Sequence, residues 1–197
     1  MKSRIPHFKS GLSASAPWLL LAAAGLALYA WGAPTNPPGF FIDESSVAYN
    51  AHAVSETGRD EHGEAWPLYF KAFGDYKNPT YVYLLAAVFR ATGPSVAAAR
   101  YLSAALGVLA ALALGLLGVR LTGSRAAGLL TMLAALLTPW LFELSRVVVE
   151  VAAYPLAVAL FLLATRRAAR EGACGLADSA CVAASLALVT YTYSTGR

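Results

Sequence analysis

The sequence predicts an all-α membrane protein: a bundle of about five transmembrane helices with an outer loop that carries short juxtamembrane helices. Three observations predict it. Of 197 residues, 58% are hydrophobic and only 13% charged, with a mean hydropathy of +0.55. A soluble domain carries about 25% charge, so the apolar surface here exceeds what one soluble core can hide. Apolar runs of near-membrane length recur along the chain, and basic residues gather between alternate pairs of them. The composition excludes a disordered chain, a secreted disulfide scaffold and a nucleic-acid binder. Cys174 and Cys181 have no histidine nearby, make neither a metal site nor a disulfide framework, and read as reduced packing residues.

The first element is the uncharged stretch between Lys9 and Asp43. Its apolar heart, Pro17 to Ala33, is about 17 residues, the lower limit for a span, and the first span is placed at 16–33. A cleaved signal peptide is the rival reading, with Lys2, Arg4 and Lys9 as its basic region and Ala30-Trp31-Gly32 as a poor cleavage site. Both readings put residue 34 onward outside the cytoplasm.

Further apolar runs lie at 78–89, 101–119, 126–142, 151–165 and 179–195. The first of these has Asn78, Pro79 and Arg90 at its bounds and rises only about 18 Å as a helix, against a hydrocarbon core of about 30 Å. It reads as a helix lying in the interface or packed beside the bundle. Charge supports that reading. If 78–89 does not cross, the inside segments carry Lys2, Arg4, Lys9, Arg120, Arg125, Arg166, Arg167 and Arg170, with Glu171 as their clear acid, which is the positive-inside pattern. If it crosses, Arg166, Arg167 and Arg170 fall outside. The expected spans are therefore 16–33, 96–119, 126–142, 147–165 and 178–195, with the amino terminus cytoplasmic and residues 34–95 outside. The chain stops abruptly after Tyr191-Thr-Tyr-Ser-Thr-Gly-Arg197, and five sparsely polar helices read as the amino-terminal portion of a larger bundle.

The outer loop holds Asp43, Glu44, Glu56, Asp60, Glu61, Glu64 and Asp75, which are seven of the chain's 11 acids. For Glu56 and Glu64 a solvated face is sufficient explanation. Asp43-Glu44 follows Phe40-Phe41-Ile42 at the outer end of the first span. Val47, Ala51 and Val54 then keep helical spacing, and Gly58 is a stop. Two readings of Asp43 are open. It caps the helix by accepting free backbone N–H groups. Alternatively, it is a carboxylate at the water–membrane boundary that takes a proton from an acceptor hydroxyl or amine, or helps ligate Mg²⁺ or Mn²⁺ with Glu44. No complete ligand set is visible, and His7, His52 and His62 lack metal spacing.

Downstream, Pro67-Leu68-Tyr69-Phe70 and Phe73-Gly74-Asp75-Tyr76-Lys77-Asn78-Pro79 place aromatic rings beside Lys and Asp. They either anchor the loop at the interface or line a sugar-phosphate site. Arg90 reads as interfacial. Arg100 starts the second span, where a snorkelling headgroup contact is one reading. Arg146 and Glu150 are spaced to pair on one helical face beside Glu143 in the second outer turn.

The order Asp43-Glu44, Tyr49-Asn50-Ala51, Thr57-Gly58-Arg59-Asp60-Glu61-His62-Gly63, Pro67 to Phe70, Phe73 to Tyr83, then Gly93 and Ala99-Arg100-Tyr101-Leu102-Ser103-Ala104 resembles a family. It is similar to the bacterial membrane glycosyltransferases related to protein O-mannosyltransferases and to the aminoarabinose transferases of lipid A, which have the GT-C fold. The resemblance covers residues 38 to about 150. It implies transfer of a sugar from a polyprenyl-phosphate donor to a protein, lipid or glycan acceptor on the outer face of the bacterial plasma membrane, with inversion at the anomeric carbon. Asp43 would be the base, and Glu44 would support it or bind the acceptor. Lys77, and with it Arg100 and Arg197, would hold the donor phosphate. Tyr76, Asp75, Asp60, Arg146 and Glu150 would line the substrate, with Glu150 standing where the family usually has Asp. The chemistry is self-consistent, because a polyprenyl tail must stay in lipid and so leaves its phosphate at the interface. The departing phosphate is already stable as an anion, so a base and cationic clamps suffice.

Two other classes remain. A transporter or flippase-like protein would bind a lipid phosphate without chemistry, but such proteins bury ionisable groups near mid-membrane. This chain keeps its charges at the helix ends, and Pro139 and Pro155 sit near the outer turn. An assembly subunit would have no site at all.

Overall fold

The computed structural model of the chain describes residues 12–169 and 175–196. Lys2, Arg4, His7, Lys9, Arg170, Glu171, Cys174 and Arg197, on which parts of the expected topology and site rest, lie outside the described residues. What is described is mostly helical, and two helical stretches, Val96–Thr122 and Glu150–Ala168, are long and apolar enough to cross a membrane.

The chain runs α1 (Leu12–Ala30), a proline- and glycine-rich connection, α2 (Ile42–Thr57), a hairpin of β1 (Phe70–Ala72) and β2 (Asp75–Lys77), and α3 (Pro79–Thr92). Then follow α4 (Val96–Thr122), α5 (Arg125–Leu136), α6 (Pro139–Leu144), a 3₁₀ turn at Glu150–Ala153, α7 (Tyr154–Ala168) and α8 (Leu176–Thr192). Helix α2 forms where the spacing predicts. Val47, Ala51 and Val54 are buried, and Gly58 closes the helix at φ +69° with its N–H on the Val54 carbonyl. Its N-cap is Phe41, so Asp43 lies inside the first turn and does not cap the helix. Helix α3 packs beside the bundle, with Tyr81, Val82 and Leu85 against α2 and α4.

Helix α4 is the hub, touching α1, α3, α5 and α7. Ser95 caps its start by accepting the Ala98 N–H, a contact worth about 1 kcal/mol. Its packed face is small residues, and the approach to α5 is closest at Gly115 and Gly128. A Cβ on Gly128 would stand 2.8 Å from the Gly115 carbonyl oxygen and would also strike Val119. Small residues let helix backbones meet at this distance. Arg100 and Arg120 lie near opposite ends of α4, about 30 Å apart along its axis, the thickness of a hydrocarbon core. Between them Leu109 and Leu116 of α4, Leu160 and Leu162 of α7 and Leu130 of α5 are exposed. A soluble protein seldom presents so continuous an apolar belt.

Three expectations need correction. The predicted span 126–142 is broken, with α5 ending at Leu136 and α6 starting at Pro139. Proline has no N–H to continue the helix and holds Thr138 extended, at ψ 118°. The predicted span 147–165 begins later, because 147–149 is not helical and a 3₁₀ turn precedes α7. The segment 34–95, expected to carry short helices, contains a β-hairpin as well. It pairs Phe70 with Lys77 and Ala72 with Asp75 across a two-residue turn, Phe73-Gly74, in which both φ angles are positive at 53° and 83°. That is the geometry matching strand twist.

Gly128→Ala tests the close approach. Helix propensity alone would make it stabilising by about 1 kcal/mol. The clash is with rigid backbone, so a net loss of about 1–3 kcal/mol is expected in reversible unfolding from detergent. A gain in stability would show that α4 and α5 do not meet there.

Candidate functional site

The site begins with the connection between α1 and α2, residues 31–41, whose carbonyls mostly lack helical partners. Two arginines take them up. Arg100, fully buried on α4, donates from Nη1 to the carbonyls of Ala33 (3.0 Å) and Pro37 (2.8 Å) and from Nη2 to Gly39 (2.6 Å). Arg146, just after α6, donates to the carbonyls of Tyr29, Trp31 and Asn36 at 2.8–3.0 Å, and its guanidinium lies 5.1 Å from the Phe142 ring centre.

Glu44 completes the clamp. Its Oε1 accepts from Arg100 Nε (3.1 Å) and from the Val148 N–H (2.9 Å). Its Oε2 accepts from Arg100 Nη2 and from the Phe41 N–H, both at 3.0 Å. Every N–H of Arg100 is therefore used, and each Glu44 oxygen carries two donors. The pair is 0% and 1% exposed on its two sides. Removing one partner of such a pair strands the other charge and costs about 3–5 kcal/mol.

Two expected roles change accordingly. Arg100 has no donor left for a carrier phosphate, and Glu44 has no lone pair left for an acceptor or a cation. The Asp43–Glu44 pair does not converge on a metal position, since successive helical residues diverge by about 100°. Among the described residues no group of three metal-ligating side chains occurs. Arg146 grips backbone and forms no ion pair with Glu150 among the described residues.

Asp43 turns the other way. Its side chain is 54% exposed, and Oδ1 accepts from Lys77 Nζ at 2.9 Å. Lys77 ends β2, so the hairpin register delivers it to α2. Partial burial works against its charge, but the hydrogen bond to Asp43 and the charges of Asp43, Glu150 and Asp75 outweigh this and hold the ammonium above the usual lysine range. Glu150 is nearly buried and accepts from both the backbone N–H and the Nδ2 of Asn78 at 2.8 Å, fastening the start of α3 to the 3₁₀ turn. Around Lys77 opens a cleft of about 390 Å³ lined by Asp75, Tyr76, Lys77, Asn78, Glu150, Tyr193 and Ser194. A recess of about 190 Å³ beside it is lined by Asp43, Val47, Lys77, Glu150 and Tyr193, among others.

The structure thus brings Asp43, Lys77, Asp75, Tyr76 and Glu150 together. It leaves Asp60 elsewhere, with its Oδ1 accepting from the His62 and Glu64 N–H groups to shape the 58–65 loop. Tyr193 and Ser194 join the lining without having been foreseen as site residues, and their signal, an aromatic just past the end of α8, is shared by any interfacial tyrosine. Asn78 was legible only as a helix boundary. Comparison of the chain with known protein families, curated proteins and solved structures finds no match.

The two neighbouring carboxylates are expected to differ sharply in stability. Glu44→Gln removes a buried charge opposite Arg100 and should cost about 3–5 kcal/mol. Asp43→Asn breaks an exposed pair and should cost below about 1 kcal/mol. Denaturant unfolding in detergent measures both, and equal losses would contradict the division of roles. The Lys77–Asp43 contribution follows the raised lysine pKa. It should be present below the unfolded lysine value, near 10.4, and fade as pH rises through the higher folded value.

Proposed function

We propose that the chain forms a GT-C-like bundle in a bacterial plasma membrane, with α5 and α6 as one broken pass of about five, and that its cleft transfers a sugar from a polyprenyl-phosphate donor to an acceptor on the outer face. The observation that carries this reading is the Asp43–Lys77 pair. It is an exposed carboxylate and an ammonium at the lip of a polar cleft, level with the end of the apolar belt. Lys77 is the one cation lining that cleft among the described residues.

In the chemistry proposed, the donor phosphate draws Lys77 away from Asp43, because a dianionic or diester phosphate offers the ammonium more acceptor oxygens than one carboxylate. Asp43, released, accepts the proton of the acceptor hydroxyl or amine. The acceptor atom attacks the anomeric carbon, the carbon–oxygen bond to phosphate breaks, and the polyprenyl phosphate leaves with the bonding pair, inverting the centre. Tyr76 and Tyr193 offer ring faces to the sugar, and the Glu150–Asn78 contact fixes the cleft floor. Donor binding and base activation are coupled through one lysine.

The test is transfer from a labelled lipid-linked donor in membranes holding the full chain. Asp43→Asn should lower turnover about 10²–10⁴-fold with the fold retained. Lys77→Ala should raise the donor KM. Wild-type turnover in Asp43→Asn would remove Asp43 as the base. Donor binding that persists with no transfer under any condition would favour the second reading, a lipid-phosphate binder, to which the already neutralised Asp43–Lys77 pair also lends itself.

A further inference from the structure

The end of the bundle farthest from the cleft carries a second polar layer. The last turn of α4 supplies Arg120, the last turn of α7 supplies Arg166 and Arg167, and α8 begins beside them with Asp178 in its first turn. Between the helices lies a cavity of about 310 Å³ lined by Leu116, Arg120, Leu163, Arg166, Arg167 and Cys181. Among the described residues one carboxylate, Asp178, pairs with this cationic group. Asp178 Oδ1 stands 2.9 Å from Arg167 Nε, as an ion pair and not as an aligned hydrogen bond. Among the described residues no ion pair engages Arg120 or Arg166, and the Arg166 Nε is buried with no hydrogen-bond partner. A buried N–H without a partner has given up its water for nothing, and the penalty is larger where the group is charged.

We propose that this cavity binds the phosphate headgroup of an anionic phospholipid, with an acyl chain lying over Leu116 and Leu163. A guanidinium fork matches two phosphate oxygens, and a second guanidinium beside it adds charge toward the same anion. The apolar half of the lining continues into the exposed leucine belt, so a ligand with a tail fits where a soluble anion would leave that wall wet. The depth agrees. Arg120 lies about 30 Å from Arg100 along α4, which places the cavity at the opposite headgroup layer from the cleft. Basic pockets between helices on the cytoplasmic side take anionic headgroups in this way. A zwitterionic lipid would bring its own ammonium toward the arginines and lose the advantage. The proposal rests on the bundle crossing a bilayer and is independent of the transferase reading.

The test is native mass spectrometry of the full chain, released from micelles holding equal phosphatidylglycerol and phosphatidylcholine. The wild type should retain phosphatidylglycerol in preference. Arg120→Gln and Arg166→Gln should each cut that retention about fivefold, from the usual effect of one basic residue at an anionic surface. Cys181→Phe, which fills the cavity and leaves the charges alone, should cut it as well, so a loss does not depend on the arginine variants folding. Lys71→Gln, on the hairpin, should change nothing. Equal retention of the two lipids, or undiminished phosphatidylglycerol in the double arginine variant, would overturn the site. Displacement of the lipid by inorganic phosphate at matched concentration would assign the cavity to a soluble anion and overturn the lipid assignment.

Discussion

A guanidinium buried away from water must place every N–H on an acceptor, and Arg100 does so with three carbonyls and one carboxylate. That requirement organises the end of the molecule at which α4 begins. The connection between α1 and α2 contains prolines and glycines that cannot form a helix, and its carbonyls would otherwise be stranded against the bundle. Arg100 gathers three of them to α4, Arg146 gathers those of Trp31 and Asn36 to the segment after α6, and Glu44 neutralises Arg100 while holding Val148. Lysine could not serve at position 100, since three donors on a single nitrogen cannot reach acceptors spread over that span. A buried ion pair adds little net stability compared with an apolar core, but breaking one side is costly, so it fixes one arrangement against alternatives.

The consequence for chemistry is a division between adjacent acids. Helical geometry turns Asp43 about 100° from Glu44. The second saturates its oxygens within the fold, and the first is left at the surface, paired with Lys77 among the described residues. A carboxylate with every lone pair engaged is a poor base, and one with a single exchangeable contact can be released. The same clamp that immobilises Glu44 therefore sets where Asp43 stands relative to the hairpin, to Glu150 and to the cleft between them.

Much of this fold was legible in the sequence. The spacing of Val47, Ala51 and Val54 and the stop at Gly58 marked α2, and the short run 78–89 marked a helix lying in the interface or packed beside the bundle, where α3 packs on α2 and α4. The acidic segment supplies Asp43, Asp75, Tyr76 and Lys77 to the cleft, while Glu150, Tyr193 and Ser194 come from outside it. Other features were not legible, for physical reasons. Hydropathy sums side chains and is blind to a missing N–H, so 126–142 read as one span, with Pro139 as no more than a kink near its end. The hairpin turn at Phe73-Gly74 lacks the Asn or Asp that usually accepts positive φ before glycine, so nothing local announced it. The contact between Glu44 and Arg100 spans 56 residues, and no local pattern encodes it. Without that contact Arg100 reads as an interfacial cation free to meet a phosphate. Tyr193 reached the cleft only because α8 packs on α7 and α3.

The central claim is that one ion pair ties three distant segments into a single unit. Hydrogen–deuterium exchange of peptides covering residues 31–41 and 145–150 tests it most directly, in the wild type and in Arg100→Lys. The account predicts slow exchange in both segments of the wild type and loss of protection in both together in the variant, although the two segments are far apart in sequence. Protection of 145–150 that stays at the wild-type level while 31–41 opens would contradict it.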